Sequence, residues 1–413
     1  MSMLPAQASQ NRPGVFDLKP VLDAIDAALG LVQRPVELHE PRFGDREREL
    51  VLDCIDTNWV SSAGKYVTRF EEMVAAATGS RYAVAIVNGT AALHAALVLE
   101  GVGSNDEVLL PSITFVATAN AVSHAGAMPH FVDSTWDTLG LDPRALEAHL
   151  DAIAVRQNGA WVNKHTGRRL RAVVPVHIFG HPVDMTALRA VAARYDLVIV
   201  EDATESLGST LNGKGCGTFG HSAVLSFNGN KIVTTGGGGM IVTDDEAHAR
   251  QARHFTSTAK KAHAWAFEHD EIAYNYRLPN INAALGCAQM ERLESMVASK
   301  RVLAERYLSA FRDFPWARIY REPKGSKSNY WLNTLVLDRE HASERDRLLE
   351  ALHGHGIRAR PLWTPMHLLP MYRDCPCASL PVAEDMNTRC INLPSSPFLG
   401  GVAQGTAKGA SQS

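Results

Sequence analysis

The chain lacks any uncharged apolar run approaching the ~18 residues that a membrane span requires, which excludes a helical membrane protein as the expected class. It also lacks an excess of one charge. Its 41 Lys and Arg stand against 44 Asp and Glu, a net −3, so it offers no broad electrostatic footprint for nucleic acid or an anionic membrane surface. Cysteine is scarce: six residues, at 54, 216, 287, 375, 377 and 390, are too few and too scattered to form a disulfide framework in 413 residues. Reduced thiols are expected. The opening MSMLPAQASQNRPG lacks the basic start and apolar core of a signal peptide, so the expected location is cytoplasmic. No internal repeat is present. What remains is a chain with 46% apolar residues, enough for a large core and a smaller one, and a ligand expected to be small.

Residues 1–36 begin polar and then carry helical apolar spacing at Leu18, Val21, Leu22 and Ile25, which predicts an arm packed outside the main domain. From about residue 80, short apolar runs alternate with amphipathic ones: Tyr82–Val87 then Ala91–Glu100, Val108–Leu110 then Val116–His124, Val173–Ile178 then Met185–Tyr195, and Leu197–Val200. This alternation predicts an α/β domain over 37–290 with a largely parallel sheet, whose ligands collect at the carboxyl ends of the strands. Residues 291–400 change character. A long charged helix, Glu291–Phe311, precedes a strand-like Tyr330–Leu337 and a helical Glu344–His353, predicting a smaller α+β domain. The small, polar residues 401–413 predict a disordered tail.

Lys231 stands in Ser226-Phe227-Asn228-Gly229-Asn230-Lys231, shortly before the glycines Gly236 to Gly239, and 29 residues after Asp202, which ends an apolar run. An amine able to form a Schiff base and a carboxylate able to sit on a pyridine nitrogen are the two groups that pyridoxal phosphate requires of a protein. Lysine is usually a surface residue, but four consecutive glycines cost backbone entropy and belong where chain approaches something closely. A buried Asp202 needs a cation or donors, and a pyridinium N–H is one; a helix N-cap is the ordinary alternative. Asn88-Gly89-Thr90 lies between a strand and a helix, so its free N–H groups suit a phosphate or merely a capped turn. Ser226 ends another apolar run and is placed to donate to the same phosphate. Phe115 follows a strand where an aromatic could stack on a planar ring or fill a core.

Two clusters predict no metal. His177 and His181 share i,i+4 spacing but run off a strand into Gly180 and Pro182, so their imidazoles do not share a helix face. Cys375-Pro-Cys377, with His367 and Cys390, matches no standard zinc spacing.

NGTAAL, PSITFVATANA, VHIFGH, VEDATESLG, SFNGNK, TTGGGG and YNYRLPNINAALG together resemble the DegT/StrS family of nucleotide-sugar aminotransferases, from about His39-Glu40-Pro41 to Ile391-Asn392-Leu393-Pro394. The resemblance implies the pyridoxal phosphate-dependent transferase fold of type I, with a mostly parallel seven-stranded sheet and a smaller C-terminal α+β domain. By matched position, it implies that Gly89, Thr90 and Ser226 hold the cofactor phosphate, and that Phe115 stacks on the ring. Asp202 would pair with the ring nitrogen, Glu205 would lie near the ring hydroxyl, and Lys231 would be the Schiff-base lysine. Asn275 matches a residue given to a neighbouring subunit's cofactor phosphate, which implies a homodimer with shared active sites. The four glycines depart from the Gly-Glu-Gly-Gly of many members, so any role of that Glu is absent.

HEPRF, DTNWVSSAGKYVTRFEE and the glycine run are most similar to the branch that aminates UDP-2-acetamido-2,6-dideoxy-4-ketohexoses on the way to bacillosamine or legionaminic acid. That similarity puts Trp59, Ser61 and Gly64 against the sugar; Lys260, Lys261, His263 and Trp265 would close over the diphosphate and base, or form a solvated loop. Glutamate is the expected amino donor, and a GDP- or dTDP-linked keto sugar is the alternative acceptor. Relatives with His in place of the lysine are sugar dehydratases, and Lys231 argues against that branch. A regulator that binds cofactor without turnover is disfavoured by the full catalytic set and the lack of a DNA-binding appendage.

Overall fold

Seven strands build the central sheet: β1 Tyr82–Ile86, β2 Asp106–Pro111, β3 Met128–Val132, β4 Arg169–Val173, β5 Val198–Asp202, β6 Ser222–Ser226 and β7 Gly239–Thr243. Their order is β1-β7-β6-β5-β4-β2-β3, and the pairings are parallel except that β7 runs antiparallel to β1 and β6. A hairpin of Ala154–Gln157 and Ala160–Asn163 extends the sheet beside β4. The computed structural model describes residues 17–401, so the expected tail lies outside the described residues apart from Gly401, as does the first part of the arm.

Helices cover both faces, which explains why these strands read as near-continuous apolar runs. The helices of the described residues are α1 Lys19–Leu29, α2 Asp45–Asp56, α3 Lys65–Thr78, α4 Gly89–Leu99, α5 Val116–His124, α6 Pro143–Ile153, α7 Met185–Arg194, α8 Glu246–Phe255, α9 Asn280–Met290, α10 Leu293–Ala310, α11 Arg345–Gly354 and α12 Pro381–Arg389, of which α1 and α11 pack against the smaller sheet instead. The two-residue alternation of β1 divides its side chains between faces. Val84 and Ile86 join a cluster with Leu93, Leu97, Val122 and Phe255 from α4, α5 and α8, whereas Ala83 and Ala85 join Phe70, Val74 and Cys287 from α3 and α9. No helix among the described residues is long and apolar enough to cross a membrane.

A second, antiparallel sheet has the order β8-β9-β11-β10, where β8 is Ala317–Ile319, β9 Asn333–Leu337, β10 Arg360–Pro361 and β11 Cys390–Leu393. The N-terminal helix belongs with this sheet: Val21, Ile25 and Leu29 of α1 share a buried cluster with Leu303 and Tyr307 of α10, Leu335 of β9 and Ile391 of β11. At about 1.5–3 kcal/mol for each large aliphatic side chain removed from water, that contact is sufficient to fix the arm.

Two strands depart from their apolar runs. β4, Arg169–Val173, ends where the expected run Val173–Ile178 begins, because Pro175 has no N–H to give the ladder; only a single bridge, Val176 to Asp202, continues it. The run Tyr330–Leu337 becomes strand only at Asn333, since Tyr330 takes φ 46° and Trp331 turns with it. Both interruptions border the same cavity.

Candidate active site

The carboxyl ends of β1, β2, β5 and β6 face a cavity of about 690 Å³, closed by residues of the second sheet. Gly89, Thr90, Phe115, Asp202, Glu205, Ser226 and Lys231, seven residues from four sequence segments, line it.

The β1–α4 turn is built as a helix start. Asn88 is the N-cap, and its Oδ1 accepts the Ala91 N–H at 2.8 Å, leaving the amides of Gly89 and Thr90 at the positive end of the helix. Glycine at 89 is a packing requirement, since a Cβ there would stand 3.0 Å from the Ser226 Cβ. The last of the four glycines has the same cause. A Cβ on Gly239 would meet the Asn88 carbonyl oxygen at 2.4 Å and the Gly89 nitrogen at 2.8 Å, so β7 passes the helix start only without a side chain. What Gly239 approaches is the capped turn, beside which the Ser226 hydroxyl lies, whereas Gly238 faces Thr235 and Gly236 takes φ 78°.

Asp202 is buried at the end of β5. Its Oδ2 accepts the Thr118 hydroxyl at 2.7 Å and its Oδ1 the Thr204 N–H at 3.2 Å. No helix begins after it, so the N-cap alternative does not apply. It forms no ion pair among the described residues, although a buried carboxylate is costly without a cation.

Lys231 is not a surface lysine. Only 13% of its side chain is exposed, and its Nζ lies 3.4 Å from Glu205 Oε1 and 3.9 Å from the centroid of the Trp331 ring. The indole N–H of Trp331 donates to the Asn230 carbonyl at 2.9 Å, so the same side chain holds the lysine's loop and faces its ammonium. Glu205 also accepts the Phe179 N–H at 2.9 Å; burial raises its pKa, against the pull of Lys231, and leaves it at about 7. Phe115 starts α5 and is more than half exposed at the cavity wall, 6.2 Å from Trp363 between ring centroids, and is therefore not a core residue.

This donor set fits pyridoxal phosphate. It offers one partly buried amine, a carboxylate with no counter-ion, an exposed aromatic face, and a helix terminus with an adjacent hydroxyl. Residues 41–405 match the DegT/DnrJ/EryC1/StrS aminotransferase family. The chain belongs to that family. It is 36% identical over 365 residues to GDP-perosamine synthase of Vibrio cholerae, covering 88% of this chain and 95% of the relative. It is 38% identical over 368 residues to EpsN of Bacillus subtilis (strain 168), named for a pyridoxal phosphate-dependent aminotransferase, with 88% and 92% covered. Among solved structures, the aminotransferase TlmJ from Streptoalloteichus hindustanus superposes with a TM-score of 0.78 at 30% identity, over 87% of this chain and 93% of that one. The protein is thus a pyridoxal phosphate-dependent sugar aminotransferase with the type I fold.

The other residues expected at this family's site lie outside the cavity of the single chain. Asn275 is exposed and bridges to Ser257. The Trp59 and Ser61 carbonyls accept from the side-chain amide and backbone N–H of Asn280, at 2.7 and 2.6 Å, and Gly64 leaves room for the Asn280 side chain. Lys260, Lys261, His263 and Trp265 occupy an exposed loop. Lys260 lies 4.1 Å from the Phe267 ring centroid, the Lys261 N–H donates to the Glu268 carbonyl, and Trp265 is 82% exposed. His177 hydrogen-bonds the buried Glu201 at 2.9 Å, whereas His181 packs against Tyr320 and Tyr330, and burial pushes its pKa down to about 3.

Sequence reasoning missed the second wall: Leu38, Trp331, Arg360, Trp363 and Asn392. Its one local signal is the run Arg360-Pro361-Leu362-Trp363-Thr364-Pro365, where an arginine precedes one proline and an aromatic sits between two, outside any helical or strand period.

Proposed function

We propose that this aminotransferase moves an amino group from glutamate to a GDP-linked 4-keto-6-deoxy sugar, as a cytoplasmic homodimer. The observation that carries the chemistry is the placement of Lys231 between Glu205 and the Trp331 ring, in one cavity with the unpaired Asp202. The GDP assignment rests on similarity to GDP-perosamine synthases. A second reading, a UDP-2-acetamido-2,6-dideoxy-4-ketohexose, is supported by HEPRF and DTNWVSSAGKYVTRFEE.

When bound, pyridoxal phosphate supplies an aldehyde that takes up the amino group and a ring that accepts electrons from the reacting carbon. The residues of this chain do the rest. The amides of Gly89 and Thr90 and the Ser226 hydroxyl would hold the phosphate, Phe115 would face the ring, and Asp202 would hold a proton on the ring nitrogen. Lys231 would anchor the cofactor and move a proton at the substrate carbon. The nearby Glu205 carboxyl can take or return a proton at neutral pH because its pKa lies at about 7. Asn275, exposed and away from its own cavity, would serve the neighbouring subunit. The exposed apolar Leu52, Ile55, Trp59 and Val60 on and after α2 are consistent with a covered face.

Incubation with glutamate and a panel of GDP-, UDP- and dTDP-linked 4-keto sugars, followed by mass spectrometry, tests the reading. Gain of an amine on the GDP sugar is expected. Amination of only the UDP sugar favours the second reading, and loss of a hydroxyl identifies a dehydratase.

A further inference from the structure

We propose that His39 is a positioning residue for Lys231, acting on its amine through one water enclosed between them. Lys231 lines two cavities: the one of about 690 Å³ described above, and a second of about 10 Å³ that it shares with His39, Arg42, Gln289 and Arg292. The second is at the ~10–15 Å³ that admits a single water, provided polar groups are there to bond it.

Those groups are present. His39 is only 9% exposed, and neither of its ring nitrogens has a hydrogen-bond partner among the described residues. Arg292 Nε has none either, although a terminal nitrogen of the same guanidinium pairs with Glu47 Oε1 at 2.6 Å. Buried polar atoms in this position are costly, and two residues that share the feature border one small space. The Lys231 ammonium has three N–H donors; Glu205 Oε1 at 3.4 Å and the Trp331 ring at 3.9 Å account for two. One water answers all of these needs. It accepts from Lys231 and from Arg292 Nε and gives a hydrogen to the acceptor nitrogen of His39, the three bonds usual for an enclosed water.

His39 serves as an acceptor because it is neutral. Burial pushes its pKa well below the ordinary value, and Lys300 and Lys231 push the same way; the other charged groups around the small cavity are Glu40, Arg42 and Arg292. Its place is fixed on both sides, since the Leu38 carbonyl accepts the Ser395 N–H at 2.7 Å and the Glu40 N–H donates to the Ser396 hydroxyl at 2.9 Å. Lys300 Nζ ties the same region together by donating to the carbonyls of Trp331 and Ser395. A neutral imidazole behind the water steadies the Lys231 ammonium without removing its proton, so the amine stays aimed at Glu205 and the Trp331 ring while it carries one. The inference rests on Lys231 being the amine that serves the cofactor.

The test uses the full chain loaded with pyridoxamine phosphate, in which Lys231 is free. A crystal structure that resolves ordered solvent should place one water within about 3.2 Å of a His39 ring nitrogen, Arg292 Nε and Lys231 Nζ. Trace labelling with an amine reagent, read by peptide mapping, should find Lys231 about 10-fold more reactive in His39→Leu than in wild type at about pH 7, because the ammonium has lost a hydrogen bond. The difference should narrow steadily above about pH 9, where the amine becomes neutral in both proteins. His39→Gln, whose side-chain oxygen can accept the same hydrogen, should stay within about 2-fold of wild type. No ordered water in the wild-type cavity would overturn the proposal, and this result does not depend on any variant folding. Equal labelling of wild type and His39→Leu, or a difference that is the same at every pH and so reports exposure alone, would also overturn it. If the water and the labelling behave as expected but borohydride places the cofactor on another lysine, the water site stands and the assignment of Lys231 fails.

Discussion

On the large-sheet wall of the cavity, Asn88–Thr90, Asp202–Glu205 and Ser226–Lys231 each follow directly from a strand; on the facing wall, Leu38, Trp331, Arg360, Trp363 and Asn392 come from bends and edges of a small antiparallel sheet and its approaches. The first wall is written as contiguous phrases because strand, turn and helix start are local events, and the cofactor needs the same groups at each. The second wall depends on side chains brought together over long separations. Arg360 meets Asn392 only through strand pairing, and Trp331 reaches Lys231 only because Tyr330 takes φ 46°. The two walls therefore predict different failures: loss of chemistry on the first, and loss of positioning or affinity on the second.

The largest effect is expected at Lys231. Lys231→Ala should lower turnover by at least ~1,000-fold while the far-ultraviolet circular dichroism stays unchanged. Turnover near wild type would erase the distinction between the walls. Asp202→Asn should come next, with cofactor still bound but rates down by about 100- to 1,000-fold, since a neutral amide cannot hold the ring nitrogen protonated. Stopped-flow measurement of the amino-donor half-reaction checks this.

Trp331→Ala sharpens the contrast from the facing wall. Removing the ring above the Lys231 ammonium and the indole bond to Asn230 should cost about 3- to 30-fold in kcat, and Trp331→Phe, which keeps a ring, should recover part of it. Equal losses in both variants would assign the effect to the indole N–H alone.

The smallest effect concerns stability. The pKa of Glu205 stands near 7 in the folded chain, against an ordinary 4.5, so the folded state retains a proton that the unfolded state releases between those values. Stability of the cofactor-free protein should therefore fall as pH rises from about 4.5 to about 7, the loss being complete above that, and Glu205→Gln should remove this component. In urea denaturation at pH 5 and pH 8, the variant's gain over wild type should grow by on the order of 2–3 kcal/mol. A gain that does not change with pH would contradict the burial argument.

Much of the fold and the cofactor wall was legible because parallel strands buried on both faces give apolar runs, and Gly, Asn and Asp mark the turns between them. Helix α5 coincides with the predicted Val116–His124. The strand expected at Val173–Ile178 lies instead at Arg169–Val173, because apolar content masked the effect of Pro175 and the arginines of the true strand hid it, and Tyr330–Leu332 was read as strand because a single positive φ has no apolar signature. Asp202, readable from sequence as an N-cap, needed the structure to show that no helix follows. The loop residues Lys260 and Trp265 lie outside the cavity of one chain, so their expected role depends on a neighbouring subunit.

The most direct measurement is borohydride reduction of the protein saturated with pyridoxal phosphate, followed by peptide mapping. A single pyridoxyl mass increment on the peptide containing Lys231, absent from Lys231→Ala, is the predicted result. An unmodified Lys231, or an increment of equal yield on another lysine, would contradict the account.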